Sequence, residues 1–377
     1  MSLSVAEWTI LLITISFGVL VVLIIIQSII HKRQAWGFLT SLVFGLLAGL
    51  VAIINELVFS GYGIIQDFFQ SLHLNLYGFH FFFFFIFFER LLSKKLNSIR
   101  LSIMVGLIIL QTIGLWLVFY YRINSLPTDI AWVLADIGYW TPALFTYFGL
   151  GVPIYIMTYI YTKEIKPIIL CIALIFVSIG FIISLLNDLY FILGVFDISI
   201  PTPDIIGELS TIGNIFPFIG IIMFAATYLS QIDYIYRIPN DTYALMVLTI
   251  SGMPIHAVHL KTRKKVTVEN VLLSGMISAI NSVFKEVFKR ETSIKNISSK
   301  GIDILLESGD KILALVITDK VSYFLDKGLK RYVRKFEKEF SRELEEGARD
   351  LVVYDRATKL LKSIFPFFIV DEEKTFD

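Results

Sequence analysis

Sulfur chemistry is almost missing from this chain, and charge is missing from its first half. One cysteine, Cys171, stands alone in 377 residues, so no intramolecular disulfide forms and no thiolate zinc site can be built. Charged residues make up only 17% of the chain against 56% hydrophobic ones, a ratio that excludes an ordinary soluble protein. A formal net charge of +1 offers no basic field, so no nucleic-acid partner is expected. The signatures of common enzymes are missing too. There is no GxxxxGK[ST] phosphate loop, no kinase glycine loop, no HExxH and no GxSxG, so neither a catalytic centre nor a cofactor is expected.

What charge exists is unevenly spread. The first 235 residues hold 9 Lys/Arg and 12 Asp/Glu, which leaves 24 and 20 of the totals of 33 and 32 for the remainder. The change falls at Tyr236-Arg237-Ile238-Pro239-Asn240, where Pro and Asn interrupt a continuous helix. Two domains are therefore expected, a membrane all-α bundle over 1–235 and a water-soluble domain over 236–377.

A hydrocarbon core about 30 Å thick needs roughly 20 apolar residues at about 1.5 Å rise each. Seven runs qualify: 6–30, 36–59, 72–92, 99–121, 138–161, 167–187 and 205–230. The first lacks a basic leader and is followed by His31-Lys32-Arg33, so it reads as a retained helix and not a cleaved signal. Pro142 and Pro153 predict a kink in the fifth run. The aromatic run 79–88 is expected to be lipid-facing and helix-packing bulk.

Orientation follows from basic residues in short loops. Loops after runs one, three and five carry Lys32, Arg33, Arg90, Lys94, Lys95, Arg100, Lys163 and Lys166, whereas the opposite loops carry only Arg122 among several aspartates. The N-terminus is thus expected outside a cell membrane, and seven crossings place the C-terminal domain in the cytoplasm.

Polar residues inside apolar runs are costly, so each is a candidate for function. Glu56 lies beside Asn55 near the outer end of run two. His73 and His80 lie seven residues apart on one face of run three, separated by roughly 10 Å. Tyr139, Trp140, Asn187, Glu208 and Asn214 complete a set in the outer half, expected to line a ligand pocket open to the outside. The alternative is that these residues sit among lipid headgroups, or pair only to hold helices together. Glu56, His73, His80 and Glu208 are of the types that bind zinc, but their spacing singles out no metal site and none is assigned. The last run has no lysine for a retinal Schiff base.

In the second domain, 243–251 and 255–262 read as a hairpin around Gly252-Met253-Pro254. Apolar residues repeating at three and four over 267–290 predict a helix. Strands follow at 293–298, 301–308 and 311–319, with Gly309-Asp310 as a tight turn. A long amphipathic helix over 323–346 and a shorter one over 350–363 end the fold. The order β-β-α-β-β-β-α-α gives an α+β class. His256 and His259 are expected on opposite faces of their strand. Arg263-Lys264-Lys265 reads as a solvated turn.

This order, with the Ser251-Gly252-Met253-Pro254 turn, the phrase LLSGMISAI and the hairpin into KILALVITD, resembles the longin-like domains of the profilin-like and roadblock-related group. The resemblance covers 242–368 and departs from roadblock proteins in lacking a helix before the first hairpin. It implies a non-catalytic domain that docks a small GTPase or another cytoplasmic protein on 236–377. The seven-helix region is loosely similar to the seven-span input regions of microbial sensors. Three functions stand open: a receptor for a small extracellular ligand that signals through the longin-like domain, a passive membrane anchor for a docking module, and a transporter or channel with a regulatory tail.

Overall fold

Apolar side chains with no turn residue between them leave the backbone of a long run one low-energy choice in lipid, the α-helix. In the computed structural model the described residues are 5–30, 36–59, 61–196, 198, 213, 215–230, 239–262, 272–277, 279–280, 294–347, 351–365, 368, 370 and 371. The chain folds as two compact units, one within residues 1–232 and the other within 233–377, with Arg90–Lys95 and Ile160–Lys163 grouped with the second.

The first unit contains α1 (Val5–Ile30), α2 (Trp36–Val58), α3 (Ile64–Leu92), α4 (Ser98–Ile123) and α5 (Asp129–Leu144). A π-helical segment, Phe145–Gly151, leads into α6 (Val152–Thr162), and α7 (Ile165–Val195) and α8 (Ile215–Ser230) complete it. Among the described residues five helices are long and apolar enough to cross a membrane: α2, α3, α4, α7 and the continuous Asp129–Thr162. This is a multi-pass membrane protein. Shorter apolar stretches, Thr14–Gln27 and Ile215–Thr227, lie within the first and last expected runs.

Two helices begin earlier than the apolar runs do. α3 starts at Ile64 where the run starts at 72, and α5 starts at Asp129 where the run starts at 138. Hydropathy falls at Asp67, Gln70 and Asp136, but backbone hydrogen bonding does not stop at a polar side chain. The consequence is that Asp136 belongs to a membrane-length helix.

α4 and α5 pack on small residues. A Cβ added to Gly138 would lie 2.5 Å from the backbone N of Gln111, and one added to Gly114 would lie 2.5 Å from the N of Ala135. Such close approach is the usual means of joining helices in lipid, where apolar burial alone supplies little drive. α3 is held differently, through its rings. Phe81, Phe84, Phe85, Phe87 and Phe88 are all buried, which corrects the lipid-facing expectation for 79–88; Phe79 alone among these is exposed. Phe84 stacks near Phe38 of α2, Phe88 and Tyr147. At the far end of α3, buried Glu89 meets Arg100 of α4 at 2.8 Å, and Asn97 caps α4 by accepting from the N–H groups of Ile99 and Arg100.

In the second unit, β1 (Thr242–Thr249), β2 (Pro254–His259), β3 (Asn296–Ser299), β4 (Ile302–Ser308) and β5 (Ile312–Thr318) form one antiparallel sheet in the order β2-β1-β5-β4-β3. β1 and β5 are central and almost wholly buried, because helices cover both faces. One face packs Met246, Leu248 and Leu315 with Ile277, in the helical stretch 272–277. The other packs Leu245, Val247 and Val316 against α9 (Tyr323–Glu339) and α11 (Ala357–Ile364). The long helix expected over 323–346 is interrupted. Phe340, at φ −110° and ψ 25°, separates α9 from α10 (Ser341–Glu346), and turning there buries its ring against Phe336 and Tyr354. The shorter helix expected over 350–363 begins as a 3-10 turn, Leu351–Arg356.

Candidate functional site

The fifth apolar run is the irregular one. Pro142 and Pro153 both lack an N–H, so the ladder around each is broken, and the π-helical segment Phe145–Gly151 lies between them. Its wider turn closes with the N–H of Val152 donating to the carbonyl of Tyr147. Gly151 lets the segment approach α3 and α7, since a Cβ there would meet Leu174 and Phe88 at 2.6 and 2.8 Å.

Tyr147 projects from this segment to His80 at the middle of α3. Nδ1 of His80 lies 2.8 Å from the carbonyl O of Ser41, which can only accept, so Nδ1 carries the proton. Nε2 is then the acceptor, and the Tyr147 hydroxyl donates to it. The Ser41 hydroxyl in turn donates to the carbonyl of His80 at 2.9 Å. All three side chains are buried. The imidazole is thereby fixed in one tautomer and one orientation, tied to α2 on one side and to the π-helical segment on the other.

His80 and Tyr147 form one edge of a chamber of about 240 Å³. Its remaining wall is largely aromatic, with Tyr77, Phe81, Tyr139, Phe181 and Phe224 prominent. A second cavity, a vestibule of about 380 Å³, lies toward the end of the bundle where α3 begins and α7 ends. Its character differs: Gln70, Gln111, Asp136 and Asp188 supply polar groups. Tyr139 and Trp140 line both cavities and so stand between them. The indole N–H of Trp140 donates to Asp188 at 2.6 Å, which holds that partition in place.

Of the residues singled out in the sequence, His80, Tyr139 and Trp140 come together around the chamber. His73 lies one turn before Tyr77, edge-on to its ring, and lines neither cavity. Glu56 is exposed on α2 and does not approach them. The side chain of Asn187 and all of Glu208 and Asn214 lie outside the described residues. Ser41, Gln111, Asp136 and Tyr147 belong to the cavities or their supports and were not singled out. Gln111 did carry a signal, a lone amide in the middle of an apolar run. Ser41 and Tyr147 carried none, because hydroxyls are common in apolar helices and their partner lies 39 and 67 residues away.

No family model matches the chain, and no curated protein or solved structure is significantly similar to it. Function must be read from the site. Among the described residues no group of three or more His, Cys, Asp or Glu side chains is arranged to hold a metal ion. What the geometry offers is an apolar chamber with one fixed polar edge, beside a polar vestibule. Such a pair of cavities suits binding of a small molecule.

In the second unit the notable polar residue is His256. It is buried on β2, and neither ring nitrogen has a partner among the described residues. Burial pushes its pKa down to about 4. Its neighbour in the pattern, His259, is only half-buried.

Proposed function

We propose that this protein is a non-enzymatic, receptor- or sensor-like membrane protein with seven crossings, its N-terminus outside and its 236–377 domain in the cytoplasm. A small ligand occupies the bundle, and the longin-like C-terminal domain recruits or regulates a cytoplasmic partner, a small GTPase being the class that the resemblance implies. The observation that carries the reading is the aromatic chamber at mid-helix depth, edged by His80 and Tyr147, with His80 held from behind by Ser41. Its polar edge is attached to a π-helical segment, a conformation that commonly marks functional positions in helices. The excess of Lys and Arg in alternate loops supports the orientation.

The test uses the full chain in lipid nanodiscs with indole as a small aromatic probe. Ser184 lines the chamber and is half-buried, so Ser184→Phe fills space without removing a core contact. Saturable indole binding that Ser184→Phe weakens, together with altered hydrogen exchange in β1 or β5, supports a ligand-sensing bundle. Binding that ignores Ser184→Phe, or no binding, sinks the chamber as the input. For the output, nanodiscs carrying the full chain are incubated with cytoplasmic extract in GDP and in a GTP analogue. Retention of a small GTPase in one state supports recruitment; no retention in either state removes it.

A transporter is the second reading, favoured by the helix discontinuity between Pro142 and Pro153 beside the chamber. It requires saturable solute uptake into proteoliposomes, where a receptor gives binding without flux.

A further inference from the structure

The chamber carries two phenol hydroxyls that the protein itself leaves unused. Tyr77 of α3 and Tyr139 of α5 both line it, and among the described residues neither hydroxyl makes a hydrogen bond. A tyrosine hydroxyl inside a protein ordinarily finds a partner. Each of these side chains is half-buried and its oxygen keeps accessible surface, unlike the enclosed hydroxyl of Tyr155. The two lie near one another: of the groups that act electrostatically on Tyr139, Tyr77 comes first, ahead of Tyr147 and the vestibule aspartates. The other polar groups close by are already committed, Tyr147 to His80 and the Trp140 N–H to Asp188, apart from the Ser184 hydroxyl.

The rest of the wall sets the shape of an occupant. Phe81 stacks on Tyr77 and meets Tyr139 and Phe181 edge-on, so flat surfaces and ring edges surround the space. An apolar cavity of about 150 Å³ holds benzene. At about 240 Å³ this one has room for two fused rings. A plain hydrocarbon gains little by leaving lipid for such a wall, because lipid chains are equally apolar. A carbonyl gains more, since lipid chains offer it no donor and the chamber presents two.

We infer that the chamber selects a flat, fused-ring aromatic molecule bearing a carbonyl, which accepts from the Tyr77 and Tyr139 hydroxyls while its rings pack against Phe81 and Phe181. This names the ligand class for the ligand-binding reading of the bundle and rests on it.

The test titrates the full chain in nanodiscs with indanone and with indane, which shares the fused-ring frame but has no oxygen. Empty nanodiscs correct each probe for partition into lipid. Indanone should bind at least about tenfold more tightly than indane, the margin of one hydrogen bond made where no water competes. The double variant Tyr77→Phe with Tyr139→Phe keeps both rings and breaks no hydrogen bond of the protein, so its melting temperature should match that of the parent. It should bind indanone about tenfold less tightly and indane no differently. Equal binding of the two probes by the parent, or indanone binding that the double variant leaves unchanged, overturns the carbonyl site and leaves the chamber reading standing. An equal loss of both probes in the double variant makes the tyrosines mere wall and overturns it too. Failure of indanone, indane and indole alike overturns both readings.

Discussion

The Tyr147 hydroxyl donates to Nε2 of His80, joining a π-helical segment to the middle of a neighbouring helix. Because Nδ1 is committed to the Ser41 carbonyl, Nε2 is the nitrogen that accepts, and this contact satisfies it. It connects the only irregular part of the fifth run to the wall of the chamber.

Tyr147→Phe removes the donor and leaves Nε2 of His80 buried without it. The expected loss is about 1 to 3 kcal/mol, the usual cost of a buried group deprived of its partner. Replacing both partners with apolar groups, in His80→Phe with Tyr147→Phe, should cost less than the two single changes added together. Thermal melting in one detergent across the four proteins measures the coupling. Strict additivity would show that the two residues do not act as a pair.

Gly138→Ala is expected to loosen the α4–α5 pair. The added methyl would lie 2.5 Å from the backbone N of Gln111, and a backbone atom cannot move aside by a rotamer change. Forcing such helices apart costs typically about 1 to 3 kcal/mol. The shift should show as a lower melting temperature and as faster proteolysis near Asn124, in the connection after α4. Gly106, with open space around its Cβ position, is the control, and Gly106→Ala should be neutral or better.

His256 makes the C-terminal domain sensitive to acid. Its folded pKa is depressed to about 4 by burial, below the value near 6.5 that it has in the unfolded chain. The unfolded state therefore takes up a proton first, so stability is full above about pH 6.5 and is lost as pH falls toward 4. The loss between pH 7.5 and pH 5 should be about 2 kcal/mol from this residue. His256→Leu should flatten that part of the profile. Hydrogen exchange of β1 amides at several pH values is the measurement, and an unchanged slope in the variant would assign the acid sensitivity elsewhere.

The hairpin between β4 and β5 is tied to α9 by one carboxylate. Oε1 of Glu337 accepts from the N–H groups of Lys311 and Ile312 at 2.7 and 3.3 Å, and it lies over Gly309, where a Cβ would collide with it. Gly309→Ala should expel that carboxylate and cost about 1 to 3 kcal/mol. Glu337→Gln keeps an acceptor oxygen and should cost less. Urea unfolding followed by near-ultraviolet circular dichroism ranks the two, and the opposite order would mean that turn geometry, not the capping contact, is limiting.

The sheet was legible in the sequence because its punctuation is explicit. Gly252-Met253-Pro254 and Gly309-Asp310 end one strand and start the next, and of the apolar stripe Leu325, Leu329, Val333, Phe336, Phe340 and Leu344 all but the half-buried Leu344 are buried. The interruption after α9 was not legible, because Phe340 fits the helical stripe and breaks the helix only to fill a gap beside Tyr354. In the bundle, hydropathy located the helices but could not assign their faces. A phenylalanine in lipid and one in a packed core have the same hydropathy, so the burial of Phe84 and Phe88 followed from neighbours far away in sequence. Hydropathy also placed Asp136 in a loop, where a carboxylate would normally be, and so concealed one of the two acidic residues that line the vestibule.

The segment Phe145–Gly151 has a further consequence for how this run can vary. A π turn takes up more residues than an α turn, so the helix beyond it faces a direction that an uninterrupted α-helix would not reach, by about 100° for each residue absorbed. α5 and α6 thus behave like two rods meeting at a joint whose angle is counted in whole residues. Deleting one residue there, such as the exposed Phe148, would let the turn close as an α turn and leave Tyr155 and Thr158 facing the interior, whereas the same deletion in the regular part of α5 would turn them about 100° toward lipid. The segment is thus the place in this run where one residue can be gained or lost without turning the faces beyond it.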